Sequence, residues 1–124
     1  MTDFDAWLTA RFRDAGAFTA LIVLVTIDGT RVAPVASSFA HVIGDAIRWR
    51  AMAGLLDASG KPWDAVVFFA AAREGGGAIA ADDARRLLRQ IEEQILVDRT
   101  RINAGHFFDR RGRRIRIDAV EPGA

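Results

Sequence analysis

The stretch AVVFFAAAREGGGAIAADDARRLLRQIEEQILVDRTR, residues 65–101, carries most of the information about the fold. Its first eight residues are all apolar, as expected for a short strand at the centre of a sheet. Three glycines then interrupt the run. Beyond them, apolar residues recur at intervals of three and four from Ala84 to Ile95, which predicts a helix over about residues 80–101 with one buried stripe. The stretch therefore predicts a central strand followed by one long helix.

The residues before this stretch predict a first helix and a hairpin. Large apolar side chains recur at helical spacing near the amino terminus, so we predict a short helix over about residues 3–14. An apolar, β-branched run over residues 18–27 predicts a buried strand, and the pair Asp28–Gly29 after it favours a tight turn. The return strand contains Pro34, which cannot donate to a ladder, so this strand should be an edge or carry a bulge.

Two further segments predict additional strands. Apolar and charged residues alternate in IGDAIRWRAMAG, residues 43–54, which predicts a turn and a half-buried strand. The closing run HFFDRRGRRIRIDAV, residues 106–120, predicts a strand, a turn at Asp109–Gly112 and a second strand.

The predicted class is α+β, in one domain spanning residues 1–124. It has a mainly antiparallel sheet of about five to six strands and is covered on one face by helix.

Composition narrows the classes of protein to consider. The chain has 124 residues, of which 51% are hydrophobic and 27% are charged, as in ordinary globular proteins. It has no cysteine, which excludes disulfides and cysteine metal sites, and its net charge is only +1. The acidic start at Asp3 and Asp5 is the reverse of a secretion signal, and the apolar run at 15–27 is too short to span a bilayer. We expect a protein of the cytoplasm or of a virion, without a membrane partner.

Positive charge is concentrated near the carboxyl terminus. The window 99–116 holds seven arginines and one aspartate, a net of +6. Arginines at this density can hold phosphates or acidic protein partners, and neighbouring phenylalanines can stack on bases. The alternative interpretation is a solvated strand face whose charges block edge-to-edge pairing. The predicted interaction residues are Arg99, Arg101, Phe107, Phe108, Arg110, Arg111, Arg113, Arg114 and Arg116.

Other chemistry-bearing residues have no supporting pattern. The glycines at 75–77 lie between a strand and a helix but lack a phosphate-loop spacing, which favours a flexible connection. His41 is expected to be a strand residue and His106 a turn or capping residue, because no acidic residue stands at ligand spacing to either. We therefore predict no catalytic, cofactor or metal site.

Two resemblances concern the order of elements. The hairpin RVAPVASSFAHVIGDAIRWRAMAG, residues 31–54, resembles the closing hairpin of NTF2-like cone folds, although the long helices of those folds precede the sheet. The segment WDAVVFFAAAREGGGAIAADDARRLLRQIEEQIL, residues 63–96, with a helix before it and a hairpin after it, is similar in layout to tail-terminator and tail-completion proteins of long-tailed phages. The second resemblance implies subunits that form rings, with the arginine-rich arm touching the next subunit.

Three functions follow as hypotheses. The first is a non-enzymatic assembly or adaptor subunit that acts through protein contacts, for example a ring-forming virion component, and that is expected to be a homo-oligomer. The alternative is a nucleic-acid-binding module that uses the arginine hairpin. The third is a small NTF2-like enzyme or ligand carrier, which would need an apolar pocket containing a perturbed carboxylate or histidine.

Overall fold

A computed structural model of the chain describes residues 1–117. Its strands form one antiparallel sheet in the order β2-β1-β3-β4, so the predicted α+β class is confirmed. Within the described residues the sheet has four strands, fewer than the five to six that were predicted. The elements in chain order are α1 (Asp3–Ala15), β1 (Phe18–Asp28), β2 (Arg31–Val42), α2 (Trp49–Asp57), β3 (Ala65–Ala71), α3 (Ala81–Val97), a 3-10 helix (Arg99–Ala104) and β4 (His106–Asp109).

The hairpin of β1 and β2 forms as the sequence predicts. Gly29 stands at the first turn position with a φ of +61°, which a side chain would disfavour. The register of the two strands shifts between Leu24 and Val25, where Val25 lies opposite Pro34. β2 is therefore both an edge strand and a bulged one, and Pro34 stands next to the extra residue of the bulge, Val35.

Helices cover both faces of the sheet, which corrects the prediction that only one face is covered. β1 is buried on both sides along most of its length, so each face requires its own apolar layer. One core lies between the sheet and helices α1 and α2, and it contains Phe4, Leu8, Ile22, Trp49, Met52, Phe68 and Phe108. The other core lies against α3 and the 3-10 helix, and it contains Leu21, Val23, Val67, Ala84, Leu88, Ile95, Ile102 and Phe107.

The predicted third strand is wrong, because its second half forms helix α2. Trp49, Met52 and Leu56 are the buried residues of α2, and their spacing places them on one helical face. The alternation of apolar and charged residues around Trp49 obscured that spacing. No side chain next to α2 caps its first turn; the backbone N–H of Trp49 instead donates to Asp5 Oδ1 at 2.7 Å.

Asp5 joins the starts of two helices. It forms a capping box at α1, in which its backbone N–H donates to Thr2 Oγ1 and the Thr2 N–H donates to Asp5 Oδ2, both at 3.1 Å. Burial alone would raise the pKa of Asp5. The hydrogen bonds from Thr2 and Trp49, together with the charge of Arg48, outweigh burial and lower this pKa.

The long helix is shorter than the predicted span 80–101. α3 ends at Val97, and Asp98 then takes an extended conformation with a φ of −146°. The side chain of Asp98 accepts a hydrogen bond from the Thr100 N–H at 3.0 Å and starts the 3-10 helix. The stripe on α3 is oriented as predicted, since Ala84, Leu88 and Ile95 are its buried residues.

The last strand of the predicted closing hairpin is reduced to a short contact in the described residues. Arg114 forms an isolated bridge with Phe108, and the Ile115 N–H donates to the Phe107 carbonyl at 3.0 Å. Residues 118–120, where that strand was expected to continue, lie outside the described residues.

Candidate interaction surface

The turn after β4, Asp109–Gly112, is built around one carboxylate. Asp109 Oδ1 accepts hydrogen bonds from the backbone N–H of Arg111 at 2.8 Å and of Arg113 at 3.0 Å. Its Oδ2 accepts a third from Arg113 Nε at 2.9 Å. Burial raises the pKa of Asp109, but these bonds outweigh burial and lower it. The guanidinium of Arg113 is thus used within the turn.

The same turn is attached to the helical layer through Gly112. The N–H of Phe4 donates to the Gly112 carbonyl at 3.0 Å, and Trp49 Nε1 donates to the Arg110 carbonyl at 2.9 Å. Gly112 has a φ of +75°, and a β-carbon placed on it would lie 2.7 Å from Trp49 Cγ. Only glycine fits between the turn and the indole ring.

Arg110 is held by two residues that also contact each other. Its guanidinium lies 4.1 Å from the centre of the Trp63 ring, and its Nη1 donates to the Trp63 carbonyl at 3.1 Å. Its Nη2 donates to Asp57 Oδ1 at 3.0 Å, the atom that also accepts from Trp63 Nε1 at 3.0 Å. The hydrogen bond from Arg110 has the largest effect on the pKa of Asp57 and the one from Trp63 the next largest, and both lower it.

Arg114 is tied to the amino-terminal helix. Its backbone N–H donates to Asp3 Oδ2 at 2.8 Å, and its guanidinium lies 5.0 Å from the centre of the Phe108 ring. Its Nη2 lies 3.2 Å from His106 Nδ1, and the His106 ring stacks on Trp7 with centroids 4.6 Å apart. His106 is the first residue of β4, and not the turn or capping residue that was predicted.

Phe107 and Phe108 belong to the interior. They are 1% and 0% exposed and enter the two opposite cores. Neither ring has a face open to solvent, so the stacking on bases considered for them has no accessible surface.

The remaining predicted arginines do not form one cluster. Arg99 and Arg101 lie on the 3-10 helix. Hydrogen bonds from Thr100 are the main cause of the lowered pKa of Asp98, and the charges of the two arginines add to this effect. Arg116 lies beyond the turn and is exposed. Arg111 is exposed, and its guanidinium makes no hydrogen bond or ion pair with residues 1–117. Arg111 is therefore the clearest exposed positive charge of the turn.

An open groove of about 600 Å³ runs along α1 beside His106. Burial first, and then the charges of Arg114 and Arg11, lower the pKa of His106 and favour its neutral form. Asp3 and Asp14 line the same groove and balance the two arginines. The groove thus has no net charge that would favour an anion.

A more distinctive surface lies along β2, the open edge of the sheet. Between β2 and α2 there is a cleft of about 420 Å³ whose floor and walls are mainly apolar. Leu55 lies at its rim with 64% of its surface exposed, and Ser37 and Ser38 are exposed on the strand itself. The apolar lining residues include Ile22, Leu24, Ala36, Met52, Leu55 and Leu56.

The other side of the same strand segment is charged. Ser37, Ser38 and Phe39 line a shallower groove against α3, opposite Arg85, Arg89 and Glu92. The Arg85 guanidinium lies 5.7 Å from the centre of the Phe39 ring. The middle of β2 is therefore flanked by an apolar cleft on one face and by charges of both signs on the other.

Sequence reasoning identified β2 as an edge from Pro34 but missed this surface. The cleft requires α2, which was read as a strand, so its apolar wall could not be anticipated. The pair Ser37–Ser38 was the available signal, because two small polar residues interrupt an apolar run at the middle of the strand.

Two other predicted features also have defined positions. His41 lies in β2 as expected, with its Nδ1 3.0 Å from Thr19 Oγ1. The glycines at 75–77 all have positive φ and form a hydrogen-bonded turn, in which the Arg73 N–H donates to the Gly77 carbonyl at 3.0 Å. The connection is thus a hydrogen-bonded turn, and its flexibility stays a prediction.

Within residues 1–117, no group of three or more His, Cys, Asp or Glu side chains converges as metal ligands. None of the helices in that part of the chain has the length and hydropathy of a transmembrane span. Comparison with known proteins gave no match to a family model, to a curated protein or to a solved structure.

Proposed function

We propose that this protein is a non-enzymatic assembly subunit that acts through protein–protein contacts, in a role like that of ring-forming, tail-terminator-like virion components. The observation that supports the proposal best is the β2 edge, which combines an open strand with an apolar cleft. An open edge offers a row of backbone donors and acceptors to another chain. The exposed Leu55 beside it offers apolar surface that a partner would remove from water.

The arginine-rich turn has a supporting role in this proposal. Arg113 holds the turn together from within, and Arg110 and Arg114 connect it to the rest of the chain, so their removal would disturb the fold. Arg111 is the member that can meet a partner without breaking a contact within residues 1–117. We propose it as an accessory contact to an acidic protein neighbour, where arginine is favoured.

A nucleic-acid-binding module is the second candidate, because the window 99–116 keeps its net charge of +6 and Arg111 is exposed. Two carboxylates outside this window nevertheless lie beside it and weaken its attraction for phosphates: Asp57 accepts from Arg110 Nη2, and Asp3 accepts from the Arg114 N–H. A ligand carrier has less support. None of the residues within 1–117 that line the apolar cleft is ionisable, and His106, whose pKa is lowered, lines a different groove.

The test is molar mass by light scattering on a sizing column, with absorbance at 260 and 280 nm recorded on the same peak. We expect a defined multimer free of nucleic acid. A monomer at every concentration, with a protein-like absorbance ratio, would contradict homo-oligomeric assembly. Nucleic acid that travels with the peak and is lost on adding salt would instead establish the second candidate.

A further inference from the structure

We propose that the β2 edge binds the β2 strand of a second copy, antiparallel, across a two-fold axis near Ser37 and Ser38. The inference rests on the proposed function and specifies its first contact. Pairing at this edge would join two four-stranded sheets into one continuous sheet of eight strands. Such a contact is isologous, because the same surface serves both subunits.

The described part of the chain leaves one edge open for this pairing. At the opposite edge, Phe108 of β4 already bridges to Arg114, and the Phe107 carbonyl accepts from the Ile115 N–H. No strand among residues 1–117 lies beyond β2. A sheet with one open edge can extend only by pairing that edge with its own copy or with a foreign strand.

The middle of β2 lacks the features that usually prevent such pairing. Exposed edges are protected by proline, bulges and charged side chains. Here Pro34 and the bulge lie towards the start of the strand, and Arg31 is its first residue. Ser37 and Ser38 at its centre are small, uncharged and exposed, so a second backbone can approach closely there.

Charges on α3 favour a second copy of this chain over a foreign strand. Arg85 and Glu92 both border the groove beside Ser37–Phe39. They are seven residues apart, which is roughly 10 Å along the helix. A two-fold axis between them places each Arg85 near Glu92 of the partner subunit, twice per dimer. Arg89 lies three residues before Glu92 on the same helix, where it can share that carboxylate.

The apolar side of β2 satisfies the same geometry. α2 borders the cleft on the face opposite α3, so the axis also brings the two α2 helices to one side of the extended sheet. Leu55, which is 64% exposed, would then lie at the junction of the two clefts. The pairing therefore adds apolar burial to the backbone hydrogen bonds of the strands.

Charge exchange on α3 tests the two-fold contact. Arg85→Glu and Glu92→Arg should each weaken the dimer, roughly tenfold or more, because each replaces two attractive contacts by two repulsive ones. The double variant R85E/E92R restores opposite charges at both places and should dimerise like the wild type. Arg86→Glu is the matched control: Arg86 forms an exposed ion pair with Asp83, as Arg85 does with Asp82, but it does not line the groove.

Cross-linking gives an independent measure of the same geometry. Because the chain has no cysteine, Ser37→Cys introduces a single thiol. A short bismaleimide should join two S37C subunits, whereas Arg111→Cys, in the turn beyond the opposite edge strand, should stay uncross-linked. A multimer that S37C does not cross-link and that the charge exchanges leave intact overturns this inference while the proposed function stands. A wild-type monomer overturns both.

Discussion

At the scale of single residues, Gly112 makes a sharply testable contact, because its α-carbon faces the Trp49 ring at a positive φ. Gly112→Ala should lose about 1–2 kcal/mol for the left-handed backbone and about 1–3 kcal/mol more for the clash with the indole. Gly60→Ala is the matched control, since Gly60 has a φ of +73° and a β-carbon there would meet nothing within 4 Å. Urea unfolding of both variants at neutral pH measures the difference, and equal losses would show that the Trp49 contact contributes nothing.

His106 couples stability to pH. Burial and the charges of Arg114 and Arg11 lower its pKa, so the unfolded chain takes up a proton at a higher pH than the folded chain does. Stability should therefore fall as the pH drops below about 6.5, the value of an unperturbed histidine, and the loss should level off below the folded pKa. Asp3 and Asp14 are the acidic side chains that face the same groove.

The measurement is the urea midpoint at pH 7.5 and at pH 5.5. His106→Gln should flatten the dependence over this interval, because glutamine does not titrate. His41→Gln, which leaves His106 and its neighbours in place, is the matched control for replacing a histidine by glutamine. The same slope in His106→Gln and in the wild type would assign the pH dependence to other groups.

At the scale of elements, the arginine turn separates structural arginines from exposed ones. Arg110→Ala removes the contact with the Trp63 ring and the ion pair with Asp57, and should lower the free energy of unfolding by about 1 kcal/mol. Arg111→Ala, in the same turn, should change it by less than about 0.5 kcal/mol. Thermal and urea unfolding of the two variants provide the comparison, and a larger loss for Arg111→Ala would reverse these roles.

The elements also show which parts of the fold can be read from the sequence. α1, the β1–β2 hairpin and α3 carry their own signals in helical spacing, a turn glycine and an apolar stripe. α2 does not, because its first turn is capped by Asp5 from 44 residues away and its short sequence also alternates like a strand. The predicted helix extends beyond the end of α3 because the charged residues after Val97 are also common in helices. In the structure, the extended conformation of Asp98 ends the helix there.

At the scale of the whole molecule, the wrong prediction of a strand at α2 also prevented the prediction of the interaction surface that α2 helps to form. The predicted site was the charge-rich segment, because charge density is visible in a sequence. The structure uses much of that charge within the chain, at Asp57 and Asp109, and forms the apolar cleft between β2 and α2, the second of which the sequence pattern predicts as a strand. A cleft with a helical wall cannot be recognised while that segment is predicted as a strand.

The proposed dimer makes a last prediction for the molecule as a whole, which is that stability depends on protein concentration. A partner that binds only the folded chain stabilises it by mass action. Each tenfold increase in concentration should then raise the wild-type Tm by a few degrees, about 3 °C for a domain of this size. Arg85→Glu, whose dimer is roughly tenfold weaker, should need about ten times more protein to reach the same Tm, and R85E/E92R should recover the wild-type Tm at each concentration. A constant Tm for a wild type that light scattering shows to be dimeric would mean that the subunits associate without stabilising one another.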